Sequence, residues 1–237
     1  MLVGILFTVI VSLAIGTFSA LAWTSRRKVN PRYHTPAVPA FALFWLLMSC
    51  VWYLVAFIDF FGYMGRIDIA SFLIYVMQVF VGFSLIVASR AIWRMLDIPT
   101  RGVETVITLV YTALFSAFLW SLFYYGVYPQ PESFFVSQIV TAPVTIALFT
   151  VSFLPLWFAG LFLVGRHILA KGEKSPSRRF LFIGALALIF LGISGFFDET
   201  GIVVDWAVTA VRLVTLVGSI FAYSAVVALQ EPDELVI

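Results

Sequence analysis

The sequence predicts an all-α integral membrane protein, a seven-transmembrane helix bundle with its N-terminus outside and its C-terminus in the cytoplasm. Of its 237 residues, 62% are hydrophobic and only 11% are charged, against roughly 25% charged in an ordinary soluble domain. Apolar runs of about twenty residues, each long enough to cross roughly 30 Å of hydrocarbon, recur along the whole chain. The 14 Lys and Arg residues concentrate on alternate links between those runs, as expected when basic residues stay on the cytoplasmic side. Residues 1–237 therefore read as a single seven-helix membrane domain in the cell membrane.

The predicted spans are 2–23, 38–60, 69–93, 103–127, 136–169, 180–197 and 202–229. No basic stretch precedes Leu2, and the positive residues follow Trp23, so the first run reads as a retained span and not as a signal peptide. The first, third and fifth links carry Arg26, Arg27, Lys28, Arg32, Arg94, Arg101, Lys171, Lys174, Arg178 and Arg179. Arg90 and Arg166 sit at adjoining helix ends, while the other three links carry only Arg66. Only an odd span count with the N-terminus outside fits this alternation.

The fifth run is longer than one span needs and contains Pro143 and Pro155, which predict a bent helix. Trp23, Trp93, Tyr128 and Trp206 fall where amphipathic rings anchor at headgroup level. Phe60-Phe61-Gly62-Tyr63-Met64-Gly65 and Phe196-Phe197-Asp198-Glu199-Thr200-Gly201 follow the second and sixth spans, and each is soon followed by an aspartate, Asp68 or Asp205. That similarity is short, and paired phenylalanines come cheaply among 25.

Arg212 is the strongest local signal. It lies ten residues into the seventh predicted span, about 15 Å deep, where an ionised side chain must face the bundle interior. It would serve either as a structural clamp or as a ligand contact. At 100° per residue, Asp205, Thr209, Arg212, Ser219 and Tyr223 share one stripe. Ser71, Tyr75, Gln78, Gly82 and Ser89 align on the third helix, Thr105, Thr108, Thr112 and Ser116 on the fourth, and Gln138, Thr141, Thr145 and Ser152 on the fifth. Four polar stripes predict a polar interior, although hydroxyls at helix seams are also ordinary packing devices. Gln78 is the expected partner of Arg212, with Asp205 a second across about 10 Å of axis.

Other chemistries find little support. The single cysteine, Cys50, allows no intramolecular disulfide, and the histidines, His34 and His167, both fall near the cytoplasmic side. No haem ligand pair, zinc cluster or serine–histidine arrangement is foreseen, so the chain is not expected to be an enzyme or to hold a cofactor. Asp59, Asp68, Glu132, Asp198, Glu199 and Asp205 fall toward the outer side without the ordered spacing of a Ca²⁺ loop. Nor does the low net charge, +2, suggest nucleic acid.

In span number and orientation the chain is similar to rhodopsin-type receptors, an architectural likeness only. No lysine lies in any span, which removes the Schiff-base attachment of retinal. Arg26-Arg27-Lys28 followed by Pro36, Pro39 and Trp45 resembles the three-plus-one-plus-three sugar uniporters, but the matching proline of the sixth span is missing. The layout is also similar to the seven-helix input regions of prokaryotic sensor kinases, with no kinase after Ile237. The resulting expectation is a receptor-like or sensory protein with a polar pocket near Arg212 for a small polar or anionic ligand, signalling through a membrane or cytoplasmic protein. A small-solute transporter and a non-catalytic subunit of a membrane complex are the alternatives.

Overall fold

A computed structural model describes residues 2–33, 35–96, 101–126, 128–129, 139–140, 142–169, 175–199 and 205–230. Its helices are α1 (Leu2–Ser25), α2 (Ala37–Tyr63), α3 (Ile67–Met95), α4 (Arg101–Tyr125), α5 (Pro143–Leu169), α6 (Pro176–Glu199) and α7 (Asp205–Val227). All seven contain a stretch long and apolar enough to cross a membrane, which makes the chain a multi-pass membrane protein. Two 3₁₀ turns, Arg26–Lys28 and Pro31–Tyr33, join α1 to α2. Tyr128–Pro129 (β1) pairs antiparallel with Ile139–Val140 (β2) between α4 and α5.

Each helix packs on its neighbours in sequence, and α1 also packs on α7, which closes the order into a ring. Contacts at one end show how the helices alternate. The Asn30 amide donates to the Leu229 carbonyl, and the Gln230 amide donates to Ser25 O at 2.7 Å, joining the ends of α1 and α7. Arg94 at the end of α3 pairs with Glu104 at the start of α4 at 2.9 Å and reaches Pro36 O before α2 at 3.4 Å. Arg166 near the end of α5 donates to Leu96 O at 3.2 Å. The Phe180 ring near the start of α6 meets Phe41 near the start of α2 edge-on at 5.4 Å. This is the basic end of the bundle; Asp59, Arg66 and Asp68 mark the other, acidic end.

Local sequence explains the helix ends. α2 stops at Gly65, whose φ of +73° suits a residue without Cβ. Gly65 N then bonds Gly62 O at 3.0 Å and Arg66 N bonds Phe61 O at 2.9 Å, a Schellman closure that satisfies two otherwise orphaned carbonyls. Pro143 and Pro176 each open a helix at its first position, where a missing N–H costs nothing. The expected start of the fifth helix at residue 136 and the expected kink at Pro143 are thus corrected: Pro143 begins the helix. Pro155 alone lies inside α5, where it removes one intrahelical donor.

The core lies between α2, α3 and α6, around the fully buried Phe41, Trp45, Ile74, Met95, Phe180 and Leu188. Along the α5–α6 seam, glycines permit close approach. A Cβ on Gly160 would stand 2.9 Å from the Ala185 carbonyl oxygen, and one on Gly192 would stand 3.2 Å from Trp157 N. By contrast, α4 packs thinly and turns Val106, Leu109, Trp120 and Phe123 outward, a surface suited to lipid.

The expected polar stripe of the fourth helix also faces outward. Thr105, Thr112 and Ser116 are exposed, with Thr108 half-buried. Thr108, Thr112 and Ser116 donate to the carbonyls of Glu104, Thr108 and Thr112 at 2.8–2.9 Å. A helical hydroxyl that bonds its own preceding turn has no need of an interior partner, so periodicity alone misplaced this stripe.

Candidate functional site

Near the acidic end, three helices meet around Arg212. Its Nη1 donates to Asp59 Oδ2 at 2.8 Å and to Ser12 Oγ at 3.0 Å. The guanidinium carbon stands 5.9 Å from the centre of the Trp52 ring, within reach of a cation–π attraction. Arg212 is 3% exposed and Asp59 1%, so the pair is withdrawn from solvent and lipid alike.

Side-chain direction brings the pair together. In a helix the Cα–Cβ bond leans toward the N-terminus, which directs Arg212 of α7 toward the acidic end and Asp59 of α2 back into the bundle. Arg212 lies seven residues after the first residue of α7, about 10 Å along the axis. Asp59 lies four residues before the last residue of α2, about 6 Å from its end. The charge is therefore nearer a helix end than the midplane position expected. Trp52 precedes Asp59 by two helical turns on the same face of α2. On α1, Thr8, Ser12, Ile15, Ser19 and Ala22 form the buried stripe that carries Ser12.

The expected pairing of Arg212 with Gln78 is corrected. Gln78 is fully buried on α3, but neither its Oε1 nor its Nε2 has a hydrogen-bond partner among the described residues. The reason is topological: α7 packs between α6 and α1, whereas α3 packs between α2 and α4. The Asp205 side chain lies outside the described residues, as does Gln138 with all of residues 130–138. Tyr75 stacks on Phe123 of α4 at 5.2 Å, and Tyr223 meets Phe18 of α1 at 6.3 Å. Ser219 donates to Leu216 O of its own helix at 2.8 Å. Thr209 is half-buried one turn before Arg212.

Sequence reading thus located Arg212 but missed Asp59, Ser12 and Trp52 as its surroundings. Asp59 was grouped with the acids of the outer side although it falls inside the second predicted span. A carboxylate and a guanidinium both placed within spans are natural partners, and that was the available signal.

Chemically, the arrangement is a neutralised clamp. One nitrogen engages both α1 and α2, and the planar guanidinium lies near an indole, so movement of α7 against either helix would expose charge to hydrocarbon. No protein-family model, no curated protein and no solved structure matches the chain.

Proposed function

We propose that the protein is a receptor-like membrane module, N-terminus outside and C-terminus cytoplasmic, in which the Asp59–Arg212 pair locks a resting state and a partner protein reads its release. The observation that carries this reading is the buried pair between α2 and α7, with Ser12 of α1 on the same nitrogen. Burying two charges is costly and is often no more stabilising than apolar packing. A pair that holds helices in one of two arrangements gives the charges a use, since packed helix interfaces switch between discrete states.

A second reading, a non-catalytic subunit of a membrane complex, is favoured by the close burial of the same pair. Solute transport would require an anionic solute to take the place of Asp59 on Arg212.

Spin labels on the exposed positions Leu43 of α2 and Ile220 of α7, in a Cys50→Ala background, distinguish the first two readings by pulsed electron resonance in nanodiscs. The receptor reading expects Asp59→Asn to add a second discrete distance while the protein stays folded. A single unchanged distance, accompanied only by a lower melting temperature, would leave the pair a structural clamp and favour the subunit.

A further inference from the structure

At the basic end of the bundle, the link from α1 to α2 forms a ledge of positive charge. Arg26, Arg27 and Lys28 make up its first 3₁₀ turn, and Arg32 lies in the second, Pro31–Tyr33. Arg27, Lys28 and Arg32 are exposed. The Arg26 guanidinium carbon stands 3.1 Å from the centre of the Trp23 ring, a cation–π contact that fixes its direction. Four cations within seven residues repel one another, and an anion placed among them relieves that repulsion.

The ledge is built into the fold. Val29, between the two turns, is buried in the hydrophobic core, and Tyr33 packs against that core. Val29 N bonds Arg26 O at 3.3 Å, and Asn30 Oδ1 accepts from the Arg32 amide at 3.1 Å. Among the described residues, the acid at this end is Glu104, and Arg94 engages it at 2.9 Å.

The end of α7 is tied to this same ledge. Asn30 N donates to Leu229 O at 3.1 Å, and Gln230 Nε2 donates at 2.7 Å to the carbonyl of Ser25, the residue before Arg26. From Gln230 the sequence continues as Glu231-Pro232-Asp233-Glu234, outside the described residues. Three acids thus follow a side chain bonded beside three cations. An extended chain covers about 3.3–3.6 Å per residue, so Glu234 has a reach of about 14 Å from Gln230. The turn Arg26–Lys28 is only about 6 Å long at 2.0 Å per residue, and all three of its cations fall within that reach.

We infer that the ledge is the docking surface for the chain's own acidic segment, 231–234, with Glu231, Asp233 and Glu234 set against Arg26, Arg27 and Lys28. The bond from Gln230 to Ser25 makes the encounter intramolecular, at an effective concentration in the millimolar range. An anionic membrane surface has the same sign of charge, but to occupy the ledge it has to displace acids joined to the protein beside it. Docking clips α7 to the α1–α2 link at the end of the bundle opposite the Arg212 clamp.

The test uses the full-length chain in a Cys50→Ala background, with spin labels at Leu43→Cys and Val236→Cys, in phosphatidylcholine nanodiscs. Pulsed electron resonance should give a narrow distance distribution at low salt that broadens about twofold near 1 M salt, where the Debye length is about 3 Å. In Asp233→Asn/Glu234→Asn the distribution should be broad at both salt concentrations. Arg27→Glu/Lys28→Glu should broaden it as well, and adding Asp233→Lys/Glu234→Lys to that variant should narrow it again, with the thermal melt showing that each protein is folded. Equal widths for the native and neutralised segments, or a folded charge-exchanged protein that stays broad, would overturn the assignment. So would a native distribution that phosphatidylglycerol in the nanodisc broadens to the neutralised width, which would give the ledge to the membrane surface.

Discussion

Arg212 Nη1 lies 2.8 Å from Asp59 Oδ2 across 153 residues of sequence, and the same nitrogen reaches Ser12 Oγ on a third helix. Removing either partner leaves the other as an isolated buried charge. The expected loss for Arg212→Leu or Asp59→Leu is about 3–5 kcal/mol. The double variant should lose less than the sum of the two, because it leaves no orphan. Unfolding of purified protein in mixed micelles against increasing denaturing detergent measures the cycle; strict additivity would show that the two charges are not coupled.

Gln78 makes the opposite prediction. Its buried amide has no partner among the described residues, and a polar group desolvated without compensation costs about 1–3 kcal/mol. Gln78→Met keeps the length and removes the polar atoms, so the melting temperature should rise. A fall would mean that the amide has a partner after all, as the sequence had led us to expect.

The glycines of α5 can be compared within one helix. A Cβ at Gly160 meets the Ala185 carbonyl at 2.9 Å, whereas one at Gly165 meets nothing within 4 Å. Gly160→Ala should cost about 1–3 kcal/mol by forcing α5 from α6. At Gly165 the same change should be neutral or stabilising by up to about 1 kcal/mol, since alanine restricts the unfolded chain. Paired melts of the two variants check the contrast; equal effects would show that the seam is not close-packed.

The proposed orientation rests on the basic residues, twelve of which lie at links or helix ends expected to be cytoplasmic. In a Cys50→Ala background, Ser133→Cys should react with an impermeant maleimide added to intact cells, and Glu234→Cys only after lysis. The reverse pattern would invert the bundle.

The number of helices was legible because a bilayer imposes length and apolarity on each span separately, a condition that can be read locally. Six of the seven helices begin and end within a few residues of expectation. The fifth does not, because Ile139 and Val140 extend its apolar run while pairing in β2; Pro143, a natural first residue of a helix, marked the true start. Arg212 was legible for the same local reason, as a charge where charge is expensive. Its partner was not. Asp59 lies close enough to the end of α2 to pass for a loop acid, and choosing between it and Gln78 requires knowing that α7 packs on α1 and not on α3. The α4 stripe misled because hydroxyl periodicity looks the same whether the groups meet another helix or their own backbone.

The distance in sequence between Asp59 and Arg212 sets a problem of timing during synthesis. With translation at roughly 5–20 residues per second, the separation of 153 residues takes about 8–30 seconds to make. Throughout that interval α2 is available for insertion with a carboxylate near its end and without Arg212 to meet it. Ser12, already synthesised, can offer only a hydroxyl. The second helix must therefore hold that carboxylate until α7 emerges and the ring closes between the first helix and the last. The nascent chain stays open along the α1–α2 face for nearly the whole of its synthesis, and the arrival of one arginine ends that exposure.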